Sequence, residues 1–592
     1  MTHFAELAAQ AQRQAARMLS EQEDFLRSAP PHRALARRMK VMVACYCAPG
    51  ARADGDGGLL RAALRMAQAL VEVQGPTGLF DGGNLQSPPD TAFTANDMLD
   101  TLLLLKQPPT AERPPACLKD GGKTCEPLIF CLRQVLDACL DRLDPSLRRG
   151  GVHTPNHRWE LCQALAKLES RRPDQERRAR IDQWLAEGID VDPDGQYSER
   201  SASYAAHVTN RSLLVLAREL HRPELEDVVV RNLEAVVAMT DREGKVETIH
   251  SRRQDQFRTV PLSLFHHQLR LISVTRNRGD LAWWCERAWR MGVADPGDEL
   301  SNALLDPRST APLPQPIAPG ADERLFTSGL AVMRRRSHYL CLNGGSDWPF
   351  LKRTVSGLAT NPTFLHAWVG DVEIRSLRLS RDFFGLGPFR AQRINPLTAK
   401  DTAGYLLSEE TTANYYQPLP VGARRPDGDY ALEHEGRFAA AMAFSQRGSD
   451  TLTLSTEVTV VPRPGGFDLT VRTRGPRTRV CLEVALPDLP AEAVTRVKEG
   501  VWTPDADEVT WGKGDGALRI TMAGDVCFTP PFYEPGEELH HIGGTDALGG
   551  QRLYISALVP GEMRLRFRSY SSLDADVENS GARRIRDTGY LL

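Results

Sequence analysis

The feature that most constrains this chain is a change in apolar period near residue 300. From Met1 to about Gly292 apolar residues recur at helical spacing, in stretches such as Phe4–Leu26, Ala34–Cys47, Leu59–Val73 and Ala92–Leu105. Leu128–Leu143, Asn156–Glu169 and Ala202–Leu220 continue the pattern, and Pro- and Gly-rich breaks separate them. No repeat of fixed length is present, which favours a closed helical toroid over a superhelical array. After Arg324 the period becomes two, as in Leu330–Cys341, Phe364–Leu379 and Asp450–Val461. PRPGG at 462–466 and GKGDG at 512–516 have the composition of hairpin turns. Many short strands without intervening helices predict a large antiparallel β-sandwich. The expected order is therefore multidomain, α then β: a helical domain at 1–293, a Pro/Gly-rich linker at 294–323 and a sheet domain at 324–592.

At 592 residues the chain exceeds what one hydrophobic core usually holds. A net charge of −3 gives no reason to expect a nucleic-acid or anionic-membrane partner, although arginine-rich patches suit an acidic ligand. The 11 cysteines include Cys45, Cys131, Cys139 and Cys162 inside helix-like apolar patterns, which reads as buried reduced thiols rather than a disulfide framework. Cys45 and Cys47 lack the matching pair of a zinc site, so neither metal nor cofactor is expected. The opening MTHFAELAAQAQRQAARMLSEQ lacks the apolar core of a signal peptide, and no run of about 20 apolar residues occurs. The expectation is a cytoplasmic protein, or a secreted or periplasmic one if a leader has been trimmed; a homo-oligomer is left open.

Four segments of the helical half gather polar side chains. In GGVHTPNHRWE (150–160), His153, Asn156 and His157 sit where a loop becomes a helix; the plainer reading is that Asn156 caps it. In VDPDGQYSERSASYAAHVTNR (191–211) an acidic turn leads to a helix that Ser201 or Ser203 can cap. Glu199 lies in the entry loop, and Tyr204, His207 and Arg211 fall on one helical face. TIHSRRQDQ (248–256) crowds His250, Arg252, Arg253 and Asp255 together, either as a solvated charge run or as a place to hold a carboxylate. FTAND (93–97) puts Asn96 and Asp97 inside an apolar helix, where buried polar groups need partners.

No nucleophile elbow, phosphate loop, dinucleotide fingerprint or HExxH motif is present. The Asn, His, Tyr and Arg on offer suit abstraction of a proton α to a carboxylate, followed by loss of a leaving group. Such a proton becomes acidic enough only when the carboxylate charge is neutralised by hydrogen bonds or cations. A tyrosine or histidine then removes it, and a tyrosine protonates the departing oxygen.

An Asn156-His157 pair, a later Tyr204 in a DPDGxxxERSxSY context and a C-terminal β-sandwich together resemble the heparinase II/III-like and alginate-lyase-like polysaccharide lyases. The resemblance covers the domain order of the whole chain and, residue by residue, about 150–211. It implies an incomplete (α/α) toroid followed by an antiparallel β-sandwich, and β-elimination of uronic-acid glycosides. By the same resemblance Asn156 and His157 neutralise the uronate carboxylate, and Tyr204 is the general acid and, in a syn elimination, also the base. A catalytic His on an early strand corresponds by position to His366 in NPTFLHAWVGD, the alternative being a core strand histidine. Tyr405, Tyr415 and Tyr416 are the candidates for a later tyrosine, Tyr405 heading them. Glu199, His207, His250, Arg252, Arg253 and Asn96 are the expected contacts to an acidic polysaccharide or oligosaccharide. Two other readings remain: a glycoside hydrolase on a helical toroid using Asp192, Asp194 or Glu199, and a non-catalytic acidic-glycan-binding protein.

Overall fold

A computed structural model describes residues 3–48, 56–81, 85–106, 119–120, 123–335, 338–351, 355–397, 403–436, 439–527 and 550–569. The chain divides into two compact units: 1–246 with 260–319, and 247–259 with 320–592.

The first unit is helical. Its helices are α1 (His3–Ser20), α2 (Gln22–Arg27), α3 (His32–Cys47), α4 (Asp56–Val73), α5 (Pro88–Lys106), α6 (Glu126–Arg149) and α7 (Pro155–Arg171). They continue as α8 (Gln175–Ala186), α9 (Ala202–Tyr204), α10 (Asn210–Glu219), α11 (Glu224–Ala238), α12 (His266–Thr275), α13 (Gly279–Arg290) and α14 (Pro296–Leu305). Helices α3, α5, α7 and α10 pack in succession, and α14 returns to lie on α3 and α5. The ring is completed through α12, where Gln268 donates to the Ala206 carbonyl at 2.8 Å and His266 hydrogen-bonds Glu299 of α14. Inner helices are buried nearly all round: in α3 every residue from Met39 to Cys47 is buried. An outer helix such as α8 buries only Arg177 and Ile181.

Two expectations need correction here. The stretch 294–323 is not all linker, because Asp295 caps α14 by accepting from the Asp298 N–H at 3.1 Å, and α14 belongs to the ring. Cys131 is exposed rather than buried: the inward stripe of α6 runs through Leu132, Leu136, Cys139 and Leu143, and Cys131 falls just off it. All ten described cysteines are free thiols. Among the described residues, no helix is long and apolar enough to cross a membrane.

In the second unit sixteen strands form one hydrogen-bonded sheet, antiparallel except where 501–504 meets 551–569. Two long strands, Gly466–Leu486 and Gln551–Ser569, pair along most of their length, with an irregularity between Thr473 and Thr478. Before it, the first strand pairs with Ser449–Arg463 and through it Tyr405–Tyr416; beyond it, with Val372–Arg381 and onward to Leu365–Val369 and His338–Asn343. The bend lets one pair of strands serve two layers. One apolar core, with Leu407, Val458 and Leu469 from one layer and Leu340, Ile374 and Leu482 from the other, lies between them. The architecture is therefore a helical toroid followed by a large antiparallel β region folded on itself.

Candidate active site

In the helical unit the turn before α9 is built as its composition requires. Asp192 Oδ1 accepts from the N–H groups of Asp194 and Gln196 at 3.0 and 2.8 Å. Gly195 has φ +90°, and a Cβ there would meet the Arg231 carbonyl oxygen at 2.2 Å. Arg200 follows with φ +49°, a conformation that costs a non-glycine residue energy. Ser201 caps α9, its hydroxyl accepting from the Tyr204 N–H at 3.1 Å. Residues 205–209 are then a π-helical turn, with the Asn210 N–H reaching the Ala205 carbonyl. The wider turn interrupts the regular stripe expected for Tyr204, His207 and Arg211.

Asn156 does not cap α7, whose N-cap is Thr154 without a side-chain bond. Its amide nitrogen instead donates to both carboxylate oxygens of Glu199 at 2.8 and 2.7 Å. The Asn156 side-chain oxygen is buried without a hydrogen-bond partner in the described structure. His157 stands beside it, half-buried, with its ring edge-on to His153 at 4.7 Å and to Phe93 at 6.5 Å.

A recess of about 300 Å³ opens among α3, α5, α7 and the π-turn, lined by Arg33, Arg37, Phe93, Asn96, His207 and Arg211 together with Asp97, Asp100, Glu160 and Gln163. The Arg33 guanidinium lies 3.9 Å from the centre of the Phe93 ring, and Tyr204 is the residue just before the π-turn that supplies His207. His207 is exposed on the recess wall; partial desolvation, with Arg211 next, lowers its imidazole below the ordinary value.

Below the recess lies an ion cluster. Lys40 pairs with Asp97 and, at 2.7 Å, with Asp298; Arg37 also pairs with Asp298, and Arg211 donates to it at 2.9 and 3.2 Å. Lys167 meets Asp100 at 2.5 Å. Asn96 lines the recess, but its amide nitrogen is held by Glu160 at 2.8 Å. Burial raises the Glu160 carboxyl above the usual carboxylate range, against that hydrogen bond. FTAND thus does interrupt an apolar helix with a buried Asn96 and a partly buried Asp97, and their partners come from α7 and α3.

In the sheet unit, His366 is buried on the strand Leu365–Val369, opposite Cys341. Its Nδ1 is 2.5 Å from Glu247 and its Nε2 is 3.4 Å from Glu373, with Tyr339 edge-on at 5.9 Å. Tyr405 donates its phenol to Glu323 at 3.0 Å; burial, with Glu323 next, pushes it up to about 12, so it holds its proton at neutral pH. Tyr416 donates to Glu435 at 3.1 Å and Tyr415 is exposed. Arg252 does present a bidentate fork, but to the protein's own Asp347, at 2.7 and 2.9 Å. That corrects its reading as an open carboxylate holder. His250 is buried, and the Arg253 backbone N–H is tied to Ser251.

The helical unit thus brings together Asn156, His157, Glu199, Tyr204, His207 and Asn96, while His250, Arg252, Arg253, His366 and Tyr405 belong to the other unit. Sequence reasoning missed Arg33, Arg37 and Phe93 on the recess wall, and Glu247 and Glu373 beside His366. HRALARR shows two arginines four apart on one helical face, which reads equally well as a solvated surface. Glu247 sits next to the singled-out segment 248–256, and nothing in the spacing ties it to His366.

No protein-family model matches the chain, and no curated protein matches it in sequence. Among solved structures it is similar to a mutant of the heparan sulfate lyase HepC from Pedobacter heparinus, at 12% identity and a TM-score of 0.49, over 91% of this chain and 76% of that one. It is similar to the chondroitin AC lyase of Streptomyces coelicolor A3 in complex with chondroitin sulphate, at 13% identity and a TM-score of 0.49, over 97% and 80% of the two chains. A GH127 beta-L-arabinofuranosidase from Geobacillus stearothermophilus T6 follows at 13% identity and a TM-score of 0.27, over 90% and 89%. The functional reading rests on the chain's own side chains.

Proposed function

We propose that the protein is a polysaccharide lyase that cleaves uronic-acid-containing glycans by β-elimination and leaves an unsaturated uronide. The observation that supports this is the recess of the helical unit, where Arg33, Arg37 and Phe93 line the wall, His157 stands against Phe93, and Tyr204 directly precedes the π-turn that carries His207. Cations and an aromatic face suit an acidic sugar, and a phenol suits proton transfer to a departing oxygen.

In this reading Arg33, His157 and Asn156 lower the charge on the uronate carboxylate, which makes the α-proton acidic. Glu199 keeps the Asn156 amide turned toward itself until the sugar carboxylate takes over that contact. Tyr204 or a histidine removes the α-proton; the C–O bond to the leaving sugar breaks, and Tyr204 returns a proton to the oxygen that departs. Tyr405, whose phenol donates to Glu323 and is pushed up to about 12, is assigned no proton-transfer step in this reading. His366, oriented through Nδ1 by Glu247, is the proton-transfer candidate of the sheet unit.

The test is ultraviolet absorbance during incubation with heparan sulfate, chondroitin sulfate, alginate and their oligosaccharides, wild type beside Tyr204→Phe. Absorbance that rises with wild type and falls by about 10²–10⁴-fold in rate in the variant is the expected result for loss of the proton-transfer group. New reducing ends without absorbance would replace the lyase reading with a hydrolase. Binding of an acidic glycan without cleavage, unchanged by Tyr204→Phe, would leave a glycan-binding protein.

A further inference from the structure

Three consecutive helices, α12, α13 and α14, carry a second group of reactive side chains that shares no lining residue with the recess. A cavity of about 560 Å³ is lined by His3 and Phe4 of α1, His266 and Arg270 of α12, and Cys285 and Trp289 of α13. Arg290 and Thr310 at its rim are exposed, so the cavity opens to solvent.

Within it, His266 is fully buried and uses Nδ1 to hydrogen-bond Glu299 of α14. Its other nitrogen, Nε2, is buried and forms no well-aligned hydrogen bond. The His266 ring stacks on His3 at 5.2 Å and leans on Trp289 at 5.2 Å, which fixes its orientation. Burial works to lower the His266 imidazolium, but Glu299 first and the Cys285 sulfur next push it up to about 10. Arg270 is lowered by burial, with the Cys285 sulfur the leading opposing influence. Its guanidinium donates to the carbonyls of Ser309 and Ala311, at 2.7 and 2.9 Å, rather than to a carboxylate. His3 is pushed down to about 4 by burial, with Arg270 next, and is neutral at pH 7.

The Cys285 thiol, itself buried, therefore lines the same cavity as the His266 imidazole and the Arg270 guanidinium, an aromatic-walled space of small-molecule size. A nucleophile, a histidine and a carboxylate that orients the histidine are the parts of an activated-thiol site, and nearby cations stabilise negative charge as it builds on sulfur. We propose that Cys285, oriented by His266 and Glu299, is a nucleophilic thiol that adds to small α,β-unsaturated carbonyl compounds admitted to this cavity. In the step, sulfur bonds to the β-carbon, the C=C π electrons move toward the carbonyl, and the thiol proton ends on the α-carbon. Nothing leaves, and no oxidant or reductant takes part. The site is independent of the lyase reading.

The test is labelling of the full chain at pH 7 with N-ethylmaleimide, followed by peptide mass spectrometry, with exposed Cys131 as the reference thiol inside the same molecule. Cys285 is expected to react roughly tenfold faster than Cys131, and His266→Gln and Glu299→Gln to bring it to or below the Cys131 rate. Circular dichroism and melting identify folded variants; should His266→Gln not fold, Glu299→Gln carries the comparison. Labelling of Cys285 slower than Cys131 in the folded wild type overturns the proposal. So does fast labelling that neither variant changes.

Discussion

Asp298 faces Arg37, Lys40 and Arg211, and its carboxyl shows how one residue holds this site together. Burial works to raise it, but Arg211, Arg37 and Lys40 overcome that and hold it well below the usual carboxylate range. A carboxylate lowered on folding adds stability that is fully present above its unfolded value, about 3.9, and is lost as pH falls through the folded value. Replacing Asp298 by Asn leaves three cations around a neutral amide, at an expected cost of about 3–5 kcal/mol in denaturant unfolding at pH 7. Below pH 4 the gap between wild type and Asp298→Asn should begin to narrow, and it closes only as the pH falls through the folded value. A gap that stays constant from pH 7 to pH 3 would show that the ion cluster does not govern acid stability. No feature of DPGDEL (295–300) announces this role, because its three partners lie far away on α3 and α10.

At the scale of elements, the segment 191–211 was the most legible part of the site. Its turn chemistry, its Ser201 cap and its helical continuation follow from local rules, and each is present. What local rules did not supply is the π-turn at 205–209, which widens the helix beneath Tyr204 and sets His207 and Arg211 on the recess wall. Ser201→Ala removes the acceptor for the Tyr204 N–H and should cost about 1 kcal/mol of stability. Because that bond sits on Tyr204 itself, we expect the variant also to lose turnover while KM stays near the wild-type value. Unchanged stability and turnover would mean that packing alone places Tyr204. Asn156 was legible as a loop-to-helix residue, but its grip on Glu199 was not, since the two are brought together by the packing of the 191–200 loop on α7.

For the whole molecule, the chain does not divide at one point. Residues 247–259 leave the helical unit and join the sheet unit, where Asn343 donates to the Ile249 carbonyl at 3.2 Å and Asn361 to the Gln256 carbonyl at 2.7 Å. Arg252 secures Asp347 from the same segment, and Glu247 holds His366. A fragment spanning 320–592 lacks all of these partners and leaves buried amides and a buried histidine without them. It should give a broad, low-temperature melt by near-ultraviolet circular dichroism, and adding a 247–259 peptide should raise the midpoint. A sharp melt indifferent to the peptide would show that the sheet does not need the segment.

The sequence by itself determined the order of the two architectures, because a period of 3.6 or of 2 is a property of each stretch alone. It also determined the acidic turn, the capping serine and the Asn156, His157 and Tyr204 candidates, whose signals lie within a few residues. Only the tertiary structure decided that Arg33, Arg37 and Phe93 form the recess wall, that Arg252 binds Asp347, and that Cys285 lines one cavity with His266, which Glu299 holds. Those groupings join side chains from separate elements, and their geometry depends on how helices close into a ring and strands bend into layers. No spacing along the chain records that.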